Sequence, residues 1–209
     1  MTVKIFWSYI YSERNMAFSE EENKKIRENL IAEASVRAIT LGMRKTSVEE
    51  LTDAVGISKG SFYKYFDSKE LLFFTVLEGI HSELYAVAKE KLEKCASLPA
   101  SERTAETLMA VCNRLSETGA MRFIESDAEL ILRRIPEKVK NGHYHDDEAH
   151  ITELLSEGGL SPVGGTSLAA ATVRGLILTV SHQNEIGEKY PDVLRILISG
   201  AMKELFPGS

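Results

Sequence analysis

Side chains able to do chemistry gather in two places. In "ISKGSFYKYF", Ile57 to Phe66, the ammonium groups of Lys59 and Lys64 and the hydroxyls of Ser58, Ser61, Tyr63 and Tyr65 lie within a few residues of one another. Gly60 among them has no side chain, so a partner can come close to the backbone. Donors in this arrangement suit phosphate oxygens and the acceptor edges of bases. The second place is "HYHDDEAH", where His143, His145, Asp146, Asp147 and His150 form a donor set that transition metals accept. Asp146 or Asp147 shares a helical face with His150. The same residues also make an ordinary polar loop, with Asp146 or Asp147 capping the following helix. That plainer reading is preferred, so no metal ligand is assigned; a metal-responsive regulator stays as an alternative.

Motifs of catalysis are missing. The chain has no Gly-x-Ser-x-Gly elbow, Gly-rich phosphate loop, His-Glu-x-x-His or Asp-rich calcium loop. "GGLSPVGG" follows no strand and cradles nothing. The expectation is a protein that is not an enzyme and needs no cofactor.

The elements that hold the first group read clearly. "SEEENKKIRENLIAEASVRAITLG" starts on a capping box, Ser19 with Glu22, carries an apolar stripe through Ile26, Leu30, Ala34, Ala38 and Leu41, and stops at Gly42. Ser47 and Glu50 make a second box, and Val48, Leu51 and Val55 share one face. Gly56 breaks that helix. A short helix then runs from Ser58 to Phe66, and Asp67 with Glu70 caps a long one reaching Cys95. Two helices joined at a Gly form a helix-turn-helix, whose second helix enters the DNA major groove. Further helices are predicted at 101–118, 122–139, 146–157, 166–187 and 190–206, with a loop at "GHYH". The fold class is all-α: an N-terminal three-helix DNA-binding domain over 19–68 and a larger helical body over 69–209.

Charge agrees with this division. The 209 residues carry a net charge of -6, yet Lys24 to Lys69 hold three more basic than acidic residues. An acidic body behind a basic head orients the head toward a polyanion. Cys95 and Cys112 form no metal or redox motif and read as thiols of a reducing cytoplasm. No run approaches the roughly 18 apolar residues of a membrane span, so no membrane partner is expected. Residues 1–18 lack a signal-peptide cleavage pattern and read as an extension of unknown purpose, with Met16 as a second candidate start.

"TSVEELTDAVGISKGSFYKYFDSKELLFFTVLE" closely resembles the DNA-binding segment of the TetR family of bacterial transcriptional regulators. The residues that carry the resemblance are Thr46, Ala54, Ile57, Ser58, Lys59, Gly60, Phe62, Tyr63, Tyr65, Phe66, Lys69, Glu70 and Leu71. It covers roughly residues 24–78, and Tyr65 stands where His is common. The resemblance implies phosphate contacts from Thr46, Tyr63, Tyr65 and Lys69, and base contacts from Lys59, Gly60 and Ser61. Ser47 at the start of its helix, Ser58 at the next and Lys64 on the outer face complete the expected interface with a double-stranded operator. The resemblance also implies a small-molecule effector held in the body and a homodimer formed by the last two helices.

Within the body, His81, Tyr85, Met109, Cys112, Asn113, Phe123, Thr179 and His182 mix apolar lining with sparse polar groups, as ligand pockets do. An apolar or amphipathic effector is expected. Both terminal helices carry more apolar width than one buried face requires. Ala169, Val173, Leu176, Ile177 and Val180, with Leu194, Leu197, Ile198, Ala201 and Leu205, are the candidate dimer face. The function expected is a ligand-responsive regulator, most simply a repressor, reading a near-palindromic operator; low-specificity DNA binding is the other alternative.

Overall fold

The computed structural model describes residues 19–207, with the backbone alone over 142–148. The extension 1–18 lies outside the described residues. Among those described there is no strand.

Three helices form the head: α1 (Glu20–Thr40), α2 (Val48–Val55) and α3 (Lys59–Phe62). Two of the three predicted capping boxes are present. Ser19 Oγ accepts from the Glu22 amide at 3.2 Å while Glu22 Oε2 accepts from the Ser19 amide at 2.8 Å. Ser47 and Glu50 do the same at 3.2 and 2.7 Å. Gly42 and Gly56 end these helices at φ 81° and 77°, a region that disfavours any residue with a Cβ.

The reading helix is shorter than the sequence predicts. It stops at Phe62 rather than Phe66, because the amides of Lys64 and Tyr65 bond back three residues, to Ser61 and Phe62, at 3.1 and 2.9 Å. This tight turn brings the Phe66 ring to 6.1 Å from Phe62. The long helix α4 (Lys69–Lys94) is capped one residue later than expected: Ser68 Oγ, not Asp67, accepts from Leu71 N at 3.1 Å. Glu70 instead pairs with Arg134 at 3.0 Å.

In the body, α5 (Ala100–Thr118) ends at Gly119, and α6 (Ala120–Phe123) passes through a π-turn, Ile124–Ala128, into α7 (Glu129–Arg134). The helix predicted over 122–139 is cut at Pro136, which holds Ile135 extended at φ -82°, ψ 157°. The predicted "GHYH" loop is instead the interior of α8 (Glu137–Glu157). Its single glycine, Gly142, costs a helix only about 1 kcal/mol. After α9 (Gly165–Leu178), the predicted helix over 166–187 breaks into 3₁₀ turns at Thr179–His182 and Gly187–Lys189 around α10 (Gln183–Ile186). Thr179 Oγ1 donates back to Leu176 O at 2.7 Å, which favours the tighter winding. The last helix is α11 (Tyr190–Leu205).

Two apolar cores result, and α4 enters both. Leu72, Phe73, Val76 and Leu77 join the head core; Ala88 and Leu92 join the body core. Phe123, Ile131 and Ile135 also reach into the head core, so packing continues across residue 68. Against the sequence expectation, α4 is long and apolar enough by composition to cross a bilayer; here its inner face lies between these two cores.

The π-turn places Asp127 against the head. Asp127 is 2% exposed, and its Oδ2 accepts from the Met43 amide at 2.9 Å. Its Oδ1 accepts from Arg44 Nε at 3.1 Å, and Arg44 also donates to Ser126 O. Gly42 is required beside it twice over: by its positive φ, and because a Cβ there would sit 2.7 Å from Asp127 Oδ2. Replacing Asp127 with Ala strands the buried Met43 amide, so Asp127→Ala is expected to lower stability by about 1–3 kcal/mol in urea unfolding. An unchanged midpoint would show that the contact does not join head and body.

Candidate nucleic-acid interface and cavity

Around α3 the expected residues divide into groups that face out and groups already engaged. Phe62 is fully buried and Phe66 nearly so, with the Arg27 guanidinium 5.0 Å from the Phe66 ring centre. Lys59, Gly60, Tyr63 and Lys64 are exposed. Tyr63 stands edge-on to Phe62, ring centres 5.3 Å apart, which fixes the ring while its other side meets solvent. A Cβ on Gly60 would meet only Ser58 Oγ, at 3.9 Å. The protein's own packing therefore does not demand Gly60; its effect is to leave bare backbone on the outer face.

Six expected contacts are tied within the head, Ser47 in its capping box with Glu50 among them. Ser58 Oγ caps α3, accepting from the Ser61 amide at 3.1 Å and sharing a 2.9 Å bond with Ser61 Oγ. Tyr65 is half-buried and donates to Asn23 Oδ1 at 2.8 Å, which fastens the end of the reader to α1; burial pushes its phenol pKa up. The Thr46 side chain is 1% exposed and donates to Gly42 O at 2.9 Å, so its hydroxyl serves the turn. Lys69 donates to the carbonyls of Met43 and Thr46 at 2.9 and 2.6 Å. It straps the start of α4 to the loop before α2, where the sequence reading had it free for a phosphate.

Glu49 is the neighbour that sequence reasoning missed. Its carboxylate meets the Lys59 ammonium, joining α2 to the first turn of α3. The shared hydrogen bond holds the Glu49 carboxyl below its ordinary range and pushes Lys59 up. Both side chains are more than half exposed, so the pair adds little stability; it sets where Lys59 points. Their separation of ten positions hides this pairing from any periodic reading.

In the body a cavity of about 400 Å³ opens between α4, α5, α8, α9 and α11. Of the eight expected pocket residues, His81 and Tyr85 line it. Met109, Phe123 and Cys112 are core residues instead, and burial pushes the Cys112 thiol up to about 12. Asn113 and His182 are exposed, and Thr179 contacts Tyr190 at 3.2 Å. The rest of the lining is mainly aliphatic, with Thr104, Thr107 and Arg174 as its other polar members. Ile124 of the π-turn also lines it, three residues from Asp127.

Of the expected dimer residues, Val180, Leu194, Ile198, Leu205 and Ala169 are buried within their own chain. Val173, Leu176, Ile177 and Ala201 are half-buried, and Leu197 is 43% exposed. Leu168, Leu178 and Ile196, outside that candidate face, are more exposed still, Ile196 at 71%. The side chains of His143, His145, Asp146 and Asp147 lie outside the described residues, and His150 stacks on Tyr85 at 4.6 Å. Among the described residues no group of three His, Cys, Asp or Glu side chains could hold a metal.

Residues 30–76 match the family described as bacterial regulatory proteins, tetR family. The chain is 29% identical over 96 residues to the HTH-type transcriptional repressor DhaR of Mycobacterium sp. (strain GP1), a match covering 46% of this chain and 48% of that one. It is 41% identical over 49 residues to the HTH-type transcriptional repressor KstR2 of Rhodococcus jostii (strain RHA1), covering 23% of this chain and 24% of that one. The chain thus spans about half the length of the first relative and about a quarter of the second. A solved TetR-family regulator from Rhodococcus sp. superposes with a TM-score of 0.63 at 18% identity, over 88% of this chain and 99% of that one. At that identity the likeness is one of fold.

The two lysines are expected to behave differently on unfolding. Lys69→Met removes two charged hydrogen bonds and lowers stability by about 1.5–3 kcal/mol. Lys59→Ala leaves the urea midpoint within about 0.5 kcal/mol. Equal losses would show that Lys69 is no more structural than Lys59.

Proposed function

The chain belongs to the TetR family of bacterial transcriptional regulators, and from that premise we propose that it is a dimeric repressor released from its operator by a small amphipathic molecule bound in the body cavity. The observation that carries this is the pairing of an outward-facing reading surface, Lys59, Gly60, Tyr63 and Lys64, with a cavity whose wall includes the π-turn that grips the head.

The reader works by geometry. Phe62 and Phe66 fix α3 on the head core, so Lys59 and Tyr63 present donors at a set angle to a duplex. Lys59 addresses a base edge or phosphate from the first turn of the helix, and Gly60 lets the backbone close in. DhaR and KstR2 are named repressors, which supplies the sign of regulation proposed for this chain.

Two routes link cavity to reader. His81, Tyr85, Ala88 and Leu92 of α4 line the cavity, and the same helix is strapped to the head by Lys69. Ile124 and Met121 line it beside the turn that carries Asp127. A ligand shifts reader spacing only if it binds the two spacings with different affinity; a cavity wall shared with both straps supplies that difference.

The exposed face of α9 and α11 supports the dimer. Leu168, Leu178, Ile196 and Leu197 are apolar and uncovered, and Cβ atoms at Gly175 and Gly200 would meet nothing within 4 Å. Such a surface is self-complementary about a two-fold axis, which also matches a near-palindromic site.

Binding to its own upstream region is expected to exceed binding to random duplex by about a thousandfold at near-physiological salt. Lys59→Ala should lower that ratio, and equal affinity for both duplexes in the unaltered protein would refute specific regulation. Ile196→Asp should give a folded monomer by analytical ultracentrifugation that binds the duplex more weakly. A variant that stays dimeric would move the interface elsewhere.

A further inference from the structure

We infer that the cavity selects an aliphatic chain ending in an anion, with Arg174 as its counter-charge. This deepens the reading of the cavity as an effector site and rests on it.

Helix α9 carries a single charge. In "GTSLAAATVRGLIL" Arg174 is the only ionisable side chain. Its neighbours one turn away, Ala170, Ala171, Ile177 and Leu178, are all apolar, so no residue of the helix balances its charge. Arg174 lines the cavity and is exposed, and it takes part in no ion pair or hydrogen bond among the described residues. Other arginines of the described chain meet acids, Arg37 with Glu33 and Glu50, Arg114 with Glu83 and Arg134 with Glu70; exposed Arg27 and Arg122 do not, but neither lines the cavity. A guanidinium left without a partner at an apolar wall is an unfilled recognition group, since its forked donors match a carboxylate or phosphate.

The rest of the lining fits the same ligand. No Asp or Glu is among the lining residues, although the chain holds 31. Thr104 and Thr107 have already given their hydroxyl protons to the carbonyls of Ala100 and Arg103, at 2.7 and 2.8 Å. That leaves Arg174 as the open cationic donor, while the aliphatic remainder suits a hydrocarbon chain. With a net charge of -6 the protein as a whole repels anions, so selection for one must be local to this residue.

Nile red, which is uncharged, serves as the reporter of cavity filling, and dodecanoate, dodecyl phosphate and 1-dodecanol compete for it. In the unaltered protein at least one of the two anions is expected to displace the dye at about tenfold lower concentration than the alcohol, the range of a charge-assisted hydrogen bond. The two anions separate carboxylate from phosphate as the preferred terminus. Arg174→Gln should erase the preference for anion over alcohol, Arg174→Lys should keep most of it, and the sedimentation of both variants should match the unaltered protein. The inference is overturned if the alcohol competes as well as both anions, if Arg174→Gln keeps the preference, or if that variant alters only the oligomeric state. It is overturned equally if the dye binds and none of the three displaces it. Failure of Nile red to bind the unaltered protein would instead remove the cavity reading on which the inference stands.

Discussion

One buried carboxylate joins the two halves of this molecule. Asp127 leaves the body in a π-turn and bonds the Met43 amide and Arg44 in the loop ahead of α2. The loop can approach only because Gly42 has no Cβ and adopts a positive φ. An amide and a carboxylate at this depth are costly unless they meet, so the pair behaves as a two-sided constraint on how the head sits. Lys69 adds a second strap to the same loop, gripping the carbonyls of Met43 and Thr46. The seat of the head on the body is thus set by contacts that begin outside the helix-turn-helix.

In the regulator we propose, that placement is what lets cavity and reader communicate. The π-turn has one side on the cavity, through Ile124, and the other on the head, through Asp127. Helix α4 repeats the arrangement on a longer scale, with its first turns in the head core and its later turns on the cavity wall. Packed interfaces of this kind shift between discrete arrangements rather than deform smoothly. On the proposed reading, ligand occupancy acts as a choice between head positions.

How much of this was legible in the sequence depends on the range of the interaction. The capping boxes at Ser19 and Ser47, the stops at Gly42 and Gly56 and the inward Phe62 follow from spacings of a few residues, and the structure has them. The short α3 was not legible, because the three-residue bonds of Lys64 and Tyr65 that end it leave no mark in the spacing. The phosphate roles expected of Lys69 and Thr46 rest on their places at helix starts and on the resemblance; their side chains bond backbone carbonyls within the head. The terminal helices misled in an instructive way. Their apolar width is real, but Leu194 and Ile198 face inward and Ile196 faces out, and periodicity alone does not say which stripe is which. Asp127 and Glu49 gave no periodic signal, since one partner lies across the fold and the other across the turn.

On the proposed reading the protein is a symmetric DNA-reading dimer whose spacing is set through the body. Its most direct test is a nuclease-protection footprint of the protein on its own upstream region. The expected result is protection of two inverted half-sites whose centres lie about one helical turn apart or a multiple of it. A single unsymmetrical patch, or diffuse protection that follows no sequence, would contradict it.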